Sequence, residues 1–184
     1  MTVKQLLADV ARLVFKGELA DKLDNQTTLS QDEKRDLDLL LKGYNLIQSE
    51  VAAEHLSLTA EDRKFGKLIY FSSFSHAPLS IISATNDRGD EILFTAYQDR
   101  VKFERENWYR IRYSYIPDKK TVNDTFDYEK TKVGERAFLY GTASEYCLIC
   151  GRYEEAANWR SKFEKAVSSP FSGKGKKVKG RIWG

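Results

Sequence analysis

Two histidines, a run of serines and a C-x-x-C pair are the side chains of this 184-residue chain whose types could do chemistry. His76 sits in SSFSHAP, close to Ser72, Ser73 and Ser75, and a serine beside a histidine is the raw material of a small hydrolase. That chemistry also needs an acid to orient the imidazole and a strained turn to present the serine. No G-x-S-x-G surrounds these serines. His55 stands before LSLT with no pattern that joins it to a nucleophile. Cys147 and Cys150 have the spacing of half a zinc site, but no second pair and no nearby histidine completes it. A redox C-x-x-C would stand where a strand meets a helix. This pair falls inside a helical pattern, so it reads as two small apolar residues. GKGKK lacks the preceding strand and following helix that a phosphate-binding loop requires. The expectation is a protein with no catalytic, cofactor-binding or metal-binding residues.

A second chemistry is electrostatic. The last residues, GKGKKVKGRIWG, hold Lys174, Lys176, Lys177, Lys179 and Arg181, and no acid follows Glu164. The net charge is +3, so without those five cations the chain carries −2. The basicity is local, and a general affinity of the body for nucleic acid is not implied. Ile182 and Trp183 add an apolar anchor at the tip, and tryptophan is enriched among binding hot spots. A Lys/Gly-rich terminus is often only a solubilising tail, and the tryptophan at its tip weighs toward a docking tail without removing that alternative.

These groups need elements to position them. Val3, Leu6, Leu7, Val10, Leu13 and Val14 predict an amphipathic helix over 2–16, which Gly17 can end. ELADKLDNQTT reads as a polar loop. Ser30 and Glu33 form a capping box ahead of a long helix whose buried stripe is Leu37, Leu40, Leu41, Tyr44, Ile47 and Val51. Gly43 inside that helix predicts the close approach of a neighbour. From about Gly66 the pattern alternates: KLIYFSSF, PLSIISAT, EILFTAYQ, RVKFERE and WYRIRYSYI predict four or five antiparallel strands. In the last of these, Tyr109, Ile111, Tyr113 and Tyr115 share one face, and Trp108, Arg110 and Arg112 share the other. NDRGDE supplies a turn, and DKKTVNDTFDYEK reads as a mobile charged loop. Helices return near Val133. Ala137, Gly141, Ala143 and Ser144 give one a face of small residues, Gly151 stops it, and Ala156, Trp159, Phe163, Ala166 and Val167 mark the apolar face of the next.

The fold expected is therefore α+β. It is mainly a helical bundle of two N-terminal and two C-terminal helices, with an inserted antiparallel β-meander and an extended C-terminal tail. The segments are 1–65 (N-terminal helices), 66–120 (β-rich insertion), 121–132 (loop), 133–168 (helical hairpin) and 169–184 (basic tail). The N-terminal apolar run contains Asp9 and no small-residue cleavage site, which predicts a helix rather than a signal peptide, and synthesis in a cytoplasm. No apolar run approaches the ~20 residues of a membrane span.

Two stretches carry a resemblance. LDLLLKGYNLIQSEVAAEHLSLTAED is a helix leading through a polar break into strands. ERAFLYGTASEYCLICGRYEEAANWRSKFEKAV is a helix ending at Gly-Arg, followed by E-E-A-x-x-W-x-x-x-F. Together they resemble the helical ends of the head–tail connector, or tail adaptor, proteins of tailed bacteriophages, over about half of the chain. The resemblance implies a structural virion component at the head–tail junction, made in the bacterial host cytoplasm. It implies a homo-oligomeric ring, commonly a dodecamer, that binds the portal protein above and the next tail component below, extends the DNA channel and adds no chemistry. Carried over by position, it makes Lys174, Lys176, Lys177, Lys179, Arg181, Ile182 and Trp183 the portal-docking segment. Independently of the resemblance, the strand face of Trp108, Arg110 and Arg112 reads equally as an interface stripe and as an ordinary sheet surface with snorkelled arginines. The alternative expectation is a small nucleic-acid-binding module, in which the tail and that strand face track phosphates and stack bases.

Overall fold

A computed structural model describes residues 1–169. The chain separates into two units: Met1–Gly43 together with the chain from Val122 onward, and Tyr44–Thr121. The fold is α+β, with five α-helices and a four-stranded antiparallel sheet.

The first unit holds α1 (Val3–Leu13), α2 (Gly17–Asp24), the start of α3 (Gln31–Glu50), α4 (Glu135–Ile149) and α5 (Tyr153–Ser168). Thr2 caps α1 in a reciprocal box with Gln5. Val3, Leu6, Leu7, Val10 and Ala11 are buried along one face of the helix. The helix does not run on to Gly17. It closes in a Schellman motif: the Lys16 amide donates to the Ala11 carbonyl at 2.8 Å and the Phe15 amide to that of Arg12 at 3.3 Å. Phe15 takes the left-handed position, at φ 64°, that glycine usually fills. Gly17 opens α2 instead, so ELADKLD is a helix and not a loop. Only Leu19, Ala20 and Leu23 of that helix are buried, which is too sparse a stripe to stand out from its charged neighbours.

The Ser30–Glu33 box forms as expected. The Glu33 amide donates to Ser30 Oγ at 3.3 Å, and the Ser30 amide donates to Glu33 Oε2 at 2.7 Å. Gly43 meets α4 as its position predicts: a Cβ there would lie 3.0 Å from the Cβ of Glu145. The small face of α4 is buried at Ala137, Gly141, Ala143 and Ser144. Gly151, at φ 75°, ends the helix in a second Schellman motif, with the Arg152 amide on the Cys147 carbonyl at 2.8 Å.

The stretch between the sheet and α4 is not a mobile loop. Val3 and Lys4 donate backbone bonds to Asp124 and Val122, and Phe126 donates to Met1. Phe126 and Tyr128 are buried against Phe138, with ring centroids 4.8 and 4.9 Å away. Two buried aromatics, with the buried Val133, help to anchor an otherwise mostly polar segment, because each ring buries a large apolar area.

In the second unit α3 ends in a π-helical turn, Val51–His55. The strands are β1 (Leu58–Tyr70), β2 (Pro78–Asn86), β3 (Phe94–Ala96) and β4 (Arg100–Tyr115). The sheet is not a meander. RVKFERE and WYRIRYSY join into the single long strand β4, which is central. β1 pairs along one of its edges, from Leu58 opposite Tyr115 to Tyr70 opposite Arg100. β2 and β3 share the other edge, opposite Tyr109–Tyr115 and Val101–Phe103 respectively. A long strand paired on both edges satisfies more backbone donors and acceptors than sequential hairpins of short strands would. β1 starts eight residues before Gly66, and a bulge at Gly66, φ 141°, shifts its register. The turn after β2 is the one the sequence predicts, with the Asn86 side-chain oxygen accepting from the amides of Arg88 and Asp90. The inner face of the sheet carries its own core: Ile69, Ala84, Val101, Phe103, Tyr109, Ile111 and Tyr113, closed by Phe74.

Candidate functional site

Alternation along β4 sends Tyr109, Ile111 and Tyr113 inward, all of them buried, and Trp108, Arg110 and Arg112 outward. The outward set therefore shares one surface, as the sequence predicts. The structure adds what flanks it. Phe65, Arg63 and Glu61 of β1 lie directly opposite Trp108, Arg110 and Arg112, and Thr85 and Ser83 of β2 lie opposite the two arginines. The Phe65 and Trp108 rings pack 5.3 Å apart, and both stay about half exposed, at 55% and 42%. The Arg63 guanidinium sits 4.6 Å over the indole. It is also held by the Asp87 carboxylate through Nε at 3.1 Å and Nη2 at 2.8 Å. Those bonds hold the Asp87 carboxyl below its ordinary range against the cost of desolvation, helped by the nearby charge of Arg110, and they raise the guanidinium in turn.

The three arginines thus differ in what they can do. Arg63 is committed to Asp87 and the indole. Arg110 and Arg112 are exposed and form no ion pair among the described residues. The surface offers two available guanidiniums beside an aromatic shelf, a chemistry suited to an acidic or phosphate-bearing partner. Sequence reasoning missed Arg63 and Phe65 because TAEDRKF reads as polar loop. The signal was present in the alternation Thr59, Glu61, Arg63, Phe65. It was masked because the inward positions between them include the charged Asp62 and Lys64.

Among the described residues no hydrogen bond joins a serine hydroxyl to the His76 ring, whose Nδ1 is buried without a partner. The His76 ring stacks on Tyr115 at 4.1 Å, and its backbone amide meets the Tyr113 hydroxyl. Ser75 is taken by Asp62, through its amide at 2.7 Å and its hydroxyl at 3.0 Å. Desolvation pushes the Asp62 carboxyl up, but the Ser75 bonds and Lys64 outweigh it and leave the group lowered. The Ser73 hydroxyl donates to the Tyr70 carbonyl. Cys147 is buried, which pushes its thiol up and away from reactivity, whereas Cys150 is exposed at the end of α4. His55 lies with Glu50 and Glu54, their ligand atoms within 4.8 Å of one another, the one such group among the described residues.

Trp159 is half-buried rather than a core residue, stacked on Tyr140 with its rings 5.7 Å apart and the Lys162 ammonium 4.0 Å above the indole. The docking-tail residues Lys174, Lys176, Lys177, Lys179, Arg181, Ile182 and Trp183 lie outside the described residues. No helix among the described residues is long and apolar enough to cross a membrane. No family model matches the chain, and no curated protein matches it.

Proposed function

We propose that the chain is a structural subunit of a head–tail connector ring, binding a portal above and a further tail component below. The observation that carries this reading is the helical unit built from both ends of the chain, with α4 and α5 as its hairpin and the strand-rich segment Tyr44–Thr121 inserted between. Ser73, Ser75 and His76 near the sheet each make a structural contact, which favours a protein that works by being held. In this reading Lys174 to Trp183 forms the docking arm: five cations speed encounter with an acidic surface, and Ile182 and Trp183 anchor it. The test is binding of the purified protein to a portal ring. Deleting residues 174–184 abolishes docking and leaves the thermal melt unchanged; docking by the shortened chain at full affinity refutes the arm.

A second reading, a nucleic-acid contact through Trp108, Arg110 and Arg112, is favoured by the exposure of the two arginines beside an aromatic shelf. It fits a channel lining as well as an independent module. It predicts an affinity for single-stranded DNA that falls steeply with salt and is lost in R110A/R112A. Affinity flat in salt excludes it.

A further inference from the structure

The two ends of the α4–α5 hairpin carry surfaces that fit each other but cannot meet in one molecule. At the turn end, the Arg152 Nη1 donates to the Val14 carbonyl at 3.2 Å, which fixes the α4–α5 turn beside the α1–α2 turn. Phe15 and Tyr153 flank that bond, 84% and 69% exposed, and Leu148 and Ile149 of the last turn of α4 are also exposed. Single exposed apolar residues are ordinary, but here four fall on or next to two neighbouring turns. Phe15 is the telling member. Its left-handed φ of 64° is strained for any residue with a Cβ, and its ring buries almost nothing within the chain. The acids beside these turns are Glu18 and Glu154, in the first turns of α2 and α5. The cations there, Lys16 and Arg152, are paired with Asp36 and Glu155.

At the other end of the hairpin, the first turns of α4 and the last turns of α5 enclose a groove of about 530 Å³. Its apolar wall is Ala137, Tyr140 and Ala166, and Arg136, Lys162 and Lys165 rim it, with Glu135 the single acid among its lining residues. From Tyr153 to Ala166 the helix rises about 20 Å, so the turn end of one chain cannot fill its own groove.

We infer that the Phe15–Tyr153 knob of one chain seats in the α4–α5 groove of a second copy, with the acidic rim of the knob against the basic rim of the groove. Knob and groove are different surfaces, so the contact is heterologous and propagates head to tail until it closes in a ring. The inference rests on the connector reading for its use, since it supplies the subunit contact that such a ring needs. The contact itself is read from the hairpin alone.

The full-length protein tests it. Sedimentation of the wild type over a range of concentrations shows species larger than dimers. F15G raises the concentration needed for association at least tenfold, and glycine at a left-handed position does not threaten the fold. Charge reversal tests the rims: K162E/K165E and E18K/E154K each weaken association alone, and mixing the two restores it, which damage to either fold would not do. The exposed Cys150 reports the direction of the contact. Under oxidation A166C gives a ladder of disulfide-linked oligomers.

Four results overturn the contact: a wild type that is monomeric at every concentration, undiminished assembly of F15G, a ladder that stops at dimers, or protection of A166C from thiol reagents in dilute monomer. The last would mean that residues 170–184 of the same chain fill the groove. Undiminished rings of F15G leave the connector reading standing, whereas wild-type rings that ignore a portal sink that reading and leave this contact intact.

Discussion

Phe15 sits where backbone and side chain make opposite demands. The Schellman closure of α1 needs a left-handed residue, and a Cβ there costs about 1–2 kcal/mol. Glycine would remove that cost and return about 0.5–1 kcal/mol in extra freedom of the unfolded chain. F15G should therefore stabilise the monomer by about 0.5–1 kcal/mol, read as a small rise in the thermal midpoint. A fall would mean that the ring contributes packing that its exposure does not reveal. Glu33 supplies a second residue-scale prediction. Its carboxylate accepts from the Lys22 ammonium first and then from the Ser30 amide, and these lower it from an ordinary 4.5 to about 2. The folded value lies below the unfolded one, so the stability it adds is fully present above about pH 4.5 and is lost as pH falls toward about 2. Melts of E33Q across that window should show a flatter pH dependence than the wild type; parallel curves would remove Glu33 from the acid response.

Among the elements, α3 shows how a helix is read by both of its surroundings. Its Asn45 grips the backbone of Lys120 twice, donating from Nδ2 to the carbonyl at 3.1 Å and accepting from the amide at 2.7 Å. Three residues on, Gln48 donates to the Asp118 carbonyl at 3.0 Å and accepts from the Tyr44 hydroxyl at 3.0 Å. These amides hold the chain just after β4 in place. N45A should cost about 1–3 kcal/mol in denaturant unfolding, because it strips partners from a partly buried backbone group. A cost within error of zero would mean that water replaces them. At Gly43 alanine would gain about 1 kcal/mol of helix propensity but meet the Glu145 Cβ at 3.0 Å, on a neighbouring helix that moves only as a body. G43A should lower stability, whereas G17A, with nothing within 4 Å of its new methyl, should not.

For the whole molecule, the body is close to neutral, and three local groups stand out among the 30 lysines and arginines: the basic C-terminal run, the outward arginines of β4 and the rim of the α4–α5 groove. Such placement gives directed contacts rather than general stickiness. The last two can be separated by salt. A phosphate contact through Arg110 and Arg112 should weaken by orders of magnitude between low and moderate salt. An interface with an apolar centre, such as Phe15 in its groove, should change far less across the same range, as sedimentation would show. Assembly that collapses with salt as steeply as DNA binding would assign it to charge alone.

The sequence by itself determined what local chemistry controls: the caps at Ser30 and Gly151, the apolar stripes of α1 and α5, the close approach at Gly43, the turn at NDRGD, and the inward and outward faces of β4. Each follows from periodicity or from the steric needs of one residue, and neither depends on distant partners. Only the tertiary structure decided that α2 is a helix, that TAEDRK is a strand, that Phe126 and Tyr128 anchor the segment before α4, and that β1 crosses to pair with β4. Those outcomes come from packing beyond each segment's own residues: α2 rests on α1, and elsewhere a long backbone ladder or two buried rings outweigh a polar local sequence. The knob and groove belong to the same class, because Phe15 and Tyr153 become one surface only when Arg152 reaches the Val14 carbonyl.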